Sequence, residues 1–363
     1  MNKLIKIFSL LLLCLLINSC GNELDLSQFP IKQNTNGHFG DTVYIPQTPV
    51  ITGFNNPQDI YAGFEPLLYV ADENNNRIVQ MDISGNVVSY SDFILKPRKI
   101  TQDRNFDLLV IASLIDTIPP NLLDTVDAVF RFKLRPNGGL ISGVHPVMTF
   151  KSNQPTPIPG SHRHITAIAS FSDNHYLVTR SGPDNTSLID PDNAIFKIDK
   201  FDNTYPVPER LTGFELEGQG LLSLQKISSI STFSLNNTDL IYSQVNPDEA
   251  FKVQWAIYNS IDGTYIPKFQ PGAADLLRPG LFSSPQDITV DQFANIYVID
   301  SQKDSLYKFN SLGKLKSESF GGSGSAPGQF NAPSGIAFFN KTLFICDSGN
   351  NRILRFILST DIH

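Results

Sequence analysis

Pro333-Ser334-Gly335-Ile336, then Leu343-Phe344-Ile345-Cys346-Asp347, then Asn350-Asn351-Arg352-Ile353 make up the stretch on which the architecture turns. Its apolar runs are short, alternate with a period of two, and are punctuated by turn residues, which reads as strands and not helices. The same order recurs at Pro57-Gln58-Asp59-Ile60 with Leu68-Tyr69-Val70-Ala71-Asp72, followed by Asn75-Asn76-Arg77-Ile78. It recurs again at Pro285-Gln286-Asp287-Ile288 with Ile296-Tyr297-Val298-Ile299-Asp300. From proline to aspartate the separations are 15 residues from Pro57, 15 from Pro285 and 14 from Pro333. A fixed interval of this kind marks a repeat protein.

Between the clear repeats the metre persists while the signature erodes. Pro97-Arg98-Lys99-Ile100 leads to Leu108-Leu109-Val110-Ile111-Ala112, with Ala112 in the aspartate's place. Ile165-Thr166-Ala167-Ile168 leads to a run ending at Arg180, and Ile227-Ser228-Ser229-Ile230 to one ending at Gln244. The anchors Ile60, Ile100, Ile168, Ile230, Ile288 and Ile336 make six units. These residues resemble the NHL repeat, which reads Pro-x-Gly-Ile, apolar-Tyr-Val-x-Asp and Asn-x-Arg-Ile. The stretch from Phe320 to Phe356 resembles it most fully. That resemblance implies an all-β, six-bladed β-propeller of four-stranded antiparallel blades over residues 41–363, with blades starting near 57, 97, 165, 227, 285 and 333. Too few residues follow Phe356 for another strand. Thr42-Val43-Tyr44-Ile45 therefore supplies the outer strand of the last blade and closes the ring.

The chain has 363 residues, 41% hydrophobic and 17% charged, with 24 Gly, 24 Pro and a net charge of −7. Low charge with abundant turn residues suits a β protein. The acidic balance argues against nucleic acid, whose phosphates need a basic footprint. At the N-terminus Lys3 and Lys6 precede an apolar run from Ile7 to Ile17, too short to span a bilayer. Leu16-Ile17-Asn18-Ser19-Cys20 resembles a bacterial lipobox. The resemblance implies removal of residues 1–19, lipid on Cys20 and attachment to a membrane; an ordinary signal peptide is the alternative. Losing Lys3 and Lys6 takes the charge from −7 to −9. Gly21, not Asp, follows Cys20, which favours an outer membrane, facing the periplasm or the cell surface. Residues 20–40 read as a polar tether. Cys346 then remains as a lone thiol within an apolar strand, a buried core residue by pattern.

One face of such a ring carries the second-to-third strand loops and the links between blades. On that face the sequence places long inserts at 113–127, 151–162, 181–193, 202–224 and 262–284, whereas links on the other face are short. Long loops on a rigid scaffold usually carry binding. The working surface is therefore expected there, over blades two to four. Asp59, Lys99 and Asp287 fall one residue before an anchor isoleucine, where innermost strands border the channel. Arg98, Arg163, His164 and Arg180 add positive charge near the same mouth. Together these seven form a candidate rim for a carboxylate or sugar acid held by arginine forks. The alternative is that the aspartates cap turns and the arginines are solvated.

His162 and His164 lack a ligand set, and Asp184, Asp190 and Asp192 lack the spacing of a calcium loop. No cofactor is expected from the residues. The function expected is a non-catalytic binding module for a protein, peptide or glycan, acting as a monomeric domain. The alternative is a propeller enzyme of the lyase or lactonase type, whose family resemblance implies Zn²⁺ or Ca²⁺ in the channel.

Overall fold

The computed structural model describes residues 42–362 apart from 119–121, 153–162, 188, 205–207, 234–237 and 269–273. Residues 1–41, with the expected signal, Cys20 and tether, lie outside the described residues, as does His162. The first strand, β1, is Tyr44–Ile51. Blade 1 follows as β2 (Pro57–Ala62), β3 (Leu67–Asp72), β4 (Arg77–Asp82) and β5 (Val87–Tyr90). Blade 2 is β6 (Lys99–Gln102), β7 (Leu108–Ile118), β8 (Leu122–Phe132) and β9 (Val147–Lys151). Blade 3 comprises β10 (His164–Ser170), β11 (Tyr176–Ser181), β12 (Ala194–Ile198) and β13 (Glu209–Arg210). Blade 4 comprises β14 (Ile227–Thr232), β15 (Leu240–Gln244), β16 (Val253–Asn259) and β17 (Thr264–Pro267). Blade 5 is β18 (Pro285–Val290), β19 (Ile296–Asp300), β20 (Ser305–Phe309) and β21 (Phe320–Gly321). Blade 6 is β22 (Gly335–Phe339), β23 (Thr342–Asp347) and β24 (Arg352–Leu358), completed by β1. The described strands thus form six four-stranded antiparallel sheets, and each innermost strand touches those of the next blades around a ring.

Alternation along the second strands explains why this sequence makes blades. In β3, Leu68 and Val70 face blade 6, while Tyr69 and Ala71 face blade 2. Both faces of each sheet are thereby apolar. Six buried clusters result, one at every interface between neighbouring blades. Burying such a side chain contributes about 1.5–3 kcal/mol, so the core is distributed around the ring.

The repeat signature is a hydrogen-bonding device. Asp72 is fully buried; its Oδ1 accepts from Asn55 N at 2.8 Å and its Oδ2 from Asn75 Nδ2 and Arg77 Nε, both at 2.8 Å. Asp347 repeats the pattern with Asn331 N, Asn350 Nδ2 and Arg352 Nε. Each aspartate pins the incoming link to the turn that leaves its own strand. Asn76 and Asn351 end those turns at φ of 53° and 54°, a left-handed conformation that asparagine tolerates. In blade 4, Gln244 keeps half the role, its Oε1 accepting from Gln225 N at 3.0 Å. In blade 2, Ala112 keeps none. There β7 and β8 run on as a hairpin through Ser113 opposite Asp127, as far as Ile118 opposite Leu122.

The insert at 113–127 is therefore mostly paired strand, not an irregular loop. Two further inserts are also corrected. β13 interrupts 202–224 and β17 interrupts 262–284, so the first part of each lies on the short-link face. Short-link turns are built by an acid or amide accepting from the second and fourth amides that follow, as Asp291 does from Phe293 N and Asn295 N.

Ring closure follows the expected plan with longer bounds, 44–51 instead of 42–45. β1 pairs with β24 from Tyr44 opposite Leu358 to Ile51 opposite Ile353. Ser359 N also donates to Val43 O at 2.8 Å. Deleting residues 42–51 strips a strand and uncovers the edge of β24. Calorimetry is expected to show the melting temperature falling by roughly 5–15 °C. An unchanged cooperative transition would show that β1 is not needed for closure.

Candidate functional site

The residue one before each anchor isoleucine faces the channel, and three of these side chains stitch one blade to the next. Asp59 Oδ2 accepts from Ile100 N at 2.7 Å, Ser229 Oγ from Ile288 N at 3.2 Å, and Asp287 Oδ2 from Ile336 N at 2.8 Å. Ser229 Oγ also donates to Asp287 Oδ1 at 2.7 Å. Lys99 on blade 2 reaches across to blade 5, with Nζ 3.1 Å from Asp287 Oδ1 and 3.2 Å from Gln286 O. Blades 3 and 6 leave room by placing Ala167 and Gly335 here. A Cβ on Gly335 would stand 2.7 Å from Asp59 Cα.

These groups form a polar plug. Burial pushes the Asp59 carboxyl up, the Lys99 charge pulls it back, and the Asp287 charge raises it again, leaving it at about 7. Burial alone would lower Lys99, but the Asp287 and Asp59 charges outweigh it and hold the ammonium above its ordinary value. The Cys346 thiol, opposite Gly335 in the sheet, is pushed far up by burial and lies in the core as expected. From the plug a cavity of about 260 Å³ extends along the innermost strands to the short-link end, where Arg104 lies 3.8 Å over the Phe64 ring.

On the long-insert face the predicted cations meet anions. Arg98 pairs with Asp127 Oδ1, whose other oxygen accepts from Ile165 N at 3.1 Å and lies 3.0 Å from His164 Nδ1. Burial would raise Asp127, yet the His164 hydrogen bond and the Arg98 charge hold it below the usual carboxylate range. Arg163 binds Asp192 through Nε and Asp190 through Nη1, and Arg180 binds Asp190 through Nη2. Both arginines are buried. The notion of free arginine forks is therefore corrected: these guanidiniums hold the loop 181–193 to its blade. Asp190 and Asp192 are likewise engaged by arginine, and Asp184 accepts from Thr186. Asp59 and Asp287 are not caps of their own turns alone; they bridge blades.

Beside this network a cleft of about 680 Å³ lies between blades 3 and 4, built from the start of β10, the loop 181–193 and the link 217–227. His164, Ser181, Pro183, Glu217, Lys226 and Ile227 are among its lining residues. Ser181 is 8% exposed, and its Oγ is a buried hydroxyl with no partner among the described residues. Sequence reasoning missed Asp127, because an insert was read where a strand continues. It also passed over Ser181, the residue after the predicted Arg180 in the same strand, although the metre locates it.

No protein-family model matches the sequence, and no curated protein does. The fold itself is shared with solved structures. An auxiliary nutrient binding protein from Bacteroides thetaiotaomicron matches with a TM-score of 0.58 at 14% identity, over 88% of this chain and 76% of that one. One from Bacteroides ovatus gives 0.57 at 15%, over 88% and 78%. A gluconolactonase from Xanthomonas campestris gives 0.53 at 12%, over 88% and 97%. The TM-scores show the shared propeller fold, and at identities this low the likeness shows the fold alone.

Two outcomes test the plug. Lys99→Met leaves two buried carboxylates without their counter-charge and is expected to cost about 3–5 kcal/mol in denaturant unfolding, with Lys99→Met/Asp287→Asn recovering much of the loss. An additive double variant would mean that the pair is uncoupled. Asp59, raised in the fold to about 7 from 3.8, favours folding when protonated, so its contribution falls as pH rises from about 4 to 7. Asp59→Asn is expected to flatten stability against pH over that window; an unchanged slope would overturn the assignment.

Proposed function

We propose that this chain is a lipid-anchored envelope protein of NHL-repeat type whose propeller is a non-catalytic module. It binds a protein, peptide or glycan on the long-insert face over blades two to four. The cleft between blades 3 and 4 carries this reading. Its walls come from the long inserts, and the neighbouring arginines and aspartates already neutralise one another, so loop rigidity is supplied without a ligand. Lipid on Cys20 and the polar tether would present this face from an outer membrane. The role agrees with the description carried by the two Bacteroides proteins.

A metal-dependent lyase or lactonase finds less support in the channel's donor set. Of the two carboxylates that line the channel among the described residues, Asp287 is engaged by Ile336 N, Ser229 and Lys99, and Asp59 by Ile60 N and Ile100 N. A lysine ammonium between them is a poor neighbour for a cation.

A thermal-shift screen of peptides and oligosaccharides on the full chain tests the reading. A binder is expected to raise the melting temperature of the wild type. Glu217→Trp, which blocks the cleft, should abolish the shift, and Thr289→Trp, which fills the central cavity, should leave it intact. The reverse dependence, or one tightly held Zn²⁺ or Ca²⁺ per chain by mass spectrometry, would replace the platform with a channel site.

A further inference from the structure

The cleft between blades 3 and 4 has a chemistry specific enough to name its occupant, an inference that rests on the binding-face reading above. Three features meet there. The first is the Ser181 hydroxyl, more than nine-tenths buried and unpartnered, which lines the cleft and leaves a donor and an acceptor unused. An unmade hydrogen bond at a buried site is unfavourable, and a ligand amide would restore it. The second is an aliphatic wall of Pro183, Ile227 and Val245. The third is a pair of opposite charges, Glu217 and Lys226, both exposed and neither in an ion pair among the described residues.

The cleft is also held in shape. Asn193 N donates to Asn185 Oδ1 at 2.6 Å, and Gly182 N to Asn193 Oδ1 at 3.2 Å. Gln225 Nε2 donates to Glu217 O at 2.7 Å and to Gly218 O at 3.0 Å, which folds the link that carries both charges. These amides are committed to the protein. The Ser181 hydroxyl and the two charges are what remain for a partner. Among the described residues no Phe, Tyr or Trp lines the cleft, so they offer a sugar ring no such aromatic face to stack on. An aliphatic wall, one buried hydroxyl and charges of both signs match the side chain, amide and end charges of a peptide. A volume of about 680 Å³ suits a short one.

We infer that the cleft between blades 3 and 4 binds a short peptide. An aliphatic side chain lies against Ile227 and Val245, a backbone amide meets Ser181 Oγ, and the basic and acidic ends meet Glu217 and Lys226.

The test is calorimetric titration of the full chain with tetrapeptides bearing a fixed Val or Leu and free termini, alongside a panel of neutral oligosaccharides. A peptide is expected to bind. Ser181→Ala should weaken it about 5–20-fold while leaving the melting temperature unchanged or raised, since an orphan hydroxyl is removed. Glu217→Lys/Lys226→Glu should weaken it at low salt by a similar factor, and capping the termini of the peptide should remove that sensitivity. Peptide binding indifferent to both variants overturns the proposal. Oligosaccharide binding that Glu217→Trp abolishes, without peptide binding, overturns the peptide assignment but keeps the binding face. Binding lost only in Thr289→Trp overturns both.

Discussion

Closing six sheets around a channel brings six strand starts together in a space too narrow for six ordinary side chains. The solution here is a set of hydrogen bonds, at three of the six junctions, in which a channel-facing side chain on one blade accepts the backbone amide of the next. Asp59, Ser229 and Asp287 each do this, and Lys99 spans the gap between opposite blades. Burial of an unpaired carboxylate is costly, so each oxygen needs a donor, and the isoleucine amides supply it. Ala167 and Gly335 are the complementary half of the constraint, since the ring closes only where some positions stay small. The six interface clusters supply most of the burial energy, but they would be satisfied by several ring geometries. The channel groups set the inner register.

The fold was readable because its periodicities are local. Alternation with period two, the proline-to-aspartate interval and the anchor isoleucines all recur within one blade, so blades 1, 5 and 6 locate themselves and the others follow by spacing. The buried aspartate with its Asn and Arg partners explains the signature physically, and its loss at Ala112 marks the place where blade 2 departs into a long hairpin. The position one before each isoleucine was also legible, and Asp59, Lys99 and Asp287 all line the channel. Their purpose was not legible, because the partners they meet sit one blade away in two cases and across the ring in the third.

The charged face shows the same limit more sharply. Arg98, Arg163, His164 and Arg180 read as a basic rim when taken alone. Their partners Asp127, Asp190 and Asp192 stand 10–37 residues away in sequence, and pairing of that kind is a property of the folded loops. A local charge excess thus became an internal brace. What the braced loops enclose is better judged from what they leave unmatched: the metre locates Ser181, but only that accounting shows its hydroxyl without a partner among the described residues.

The closing strand couples the beginning of the chain to its end. Val43 and Ser359 meet across a separation of 316 residues, and β1 finds no partner until β24 exists. Local pairs within a blade form early, because each second strand follows its first within a few residues. Bringing segments so distant in sequence together carries a larger loop-closure cost than any pairing of consecutive strands. Until they meet, the ring is an open arc with an exposed strand edge. The stability of the propeller therefore depends on its seam, the longest-range strand pairing among the described residues.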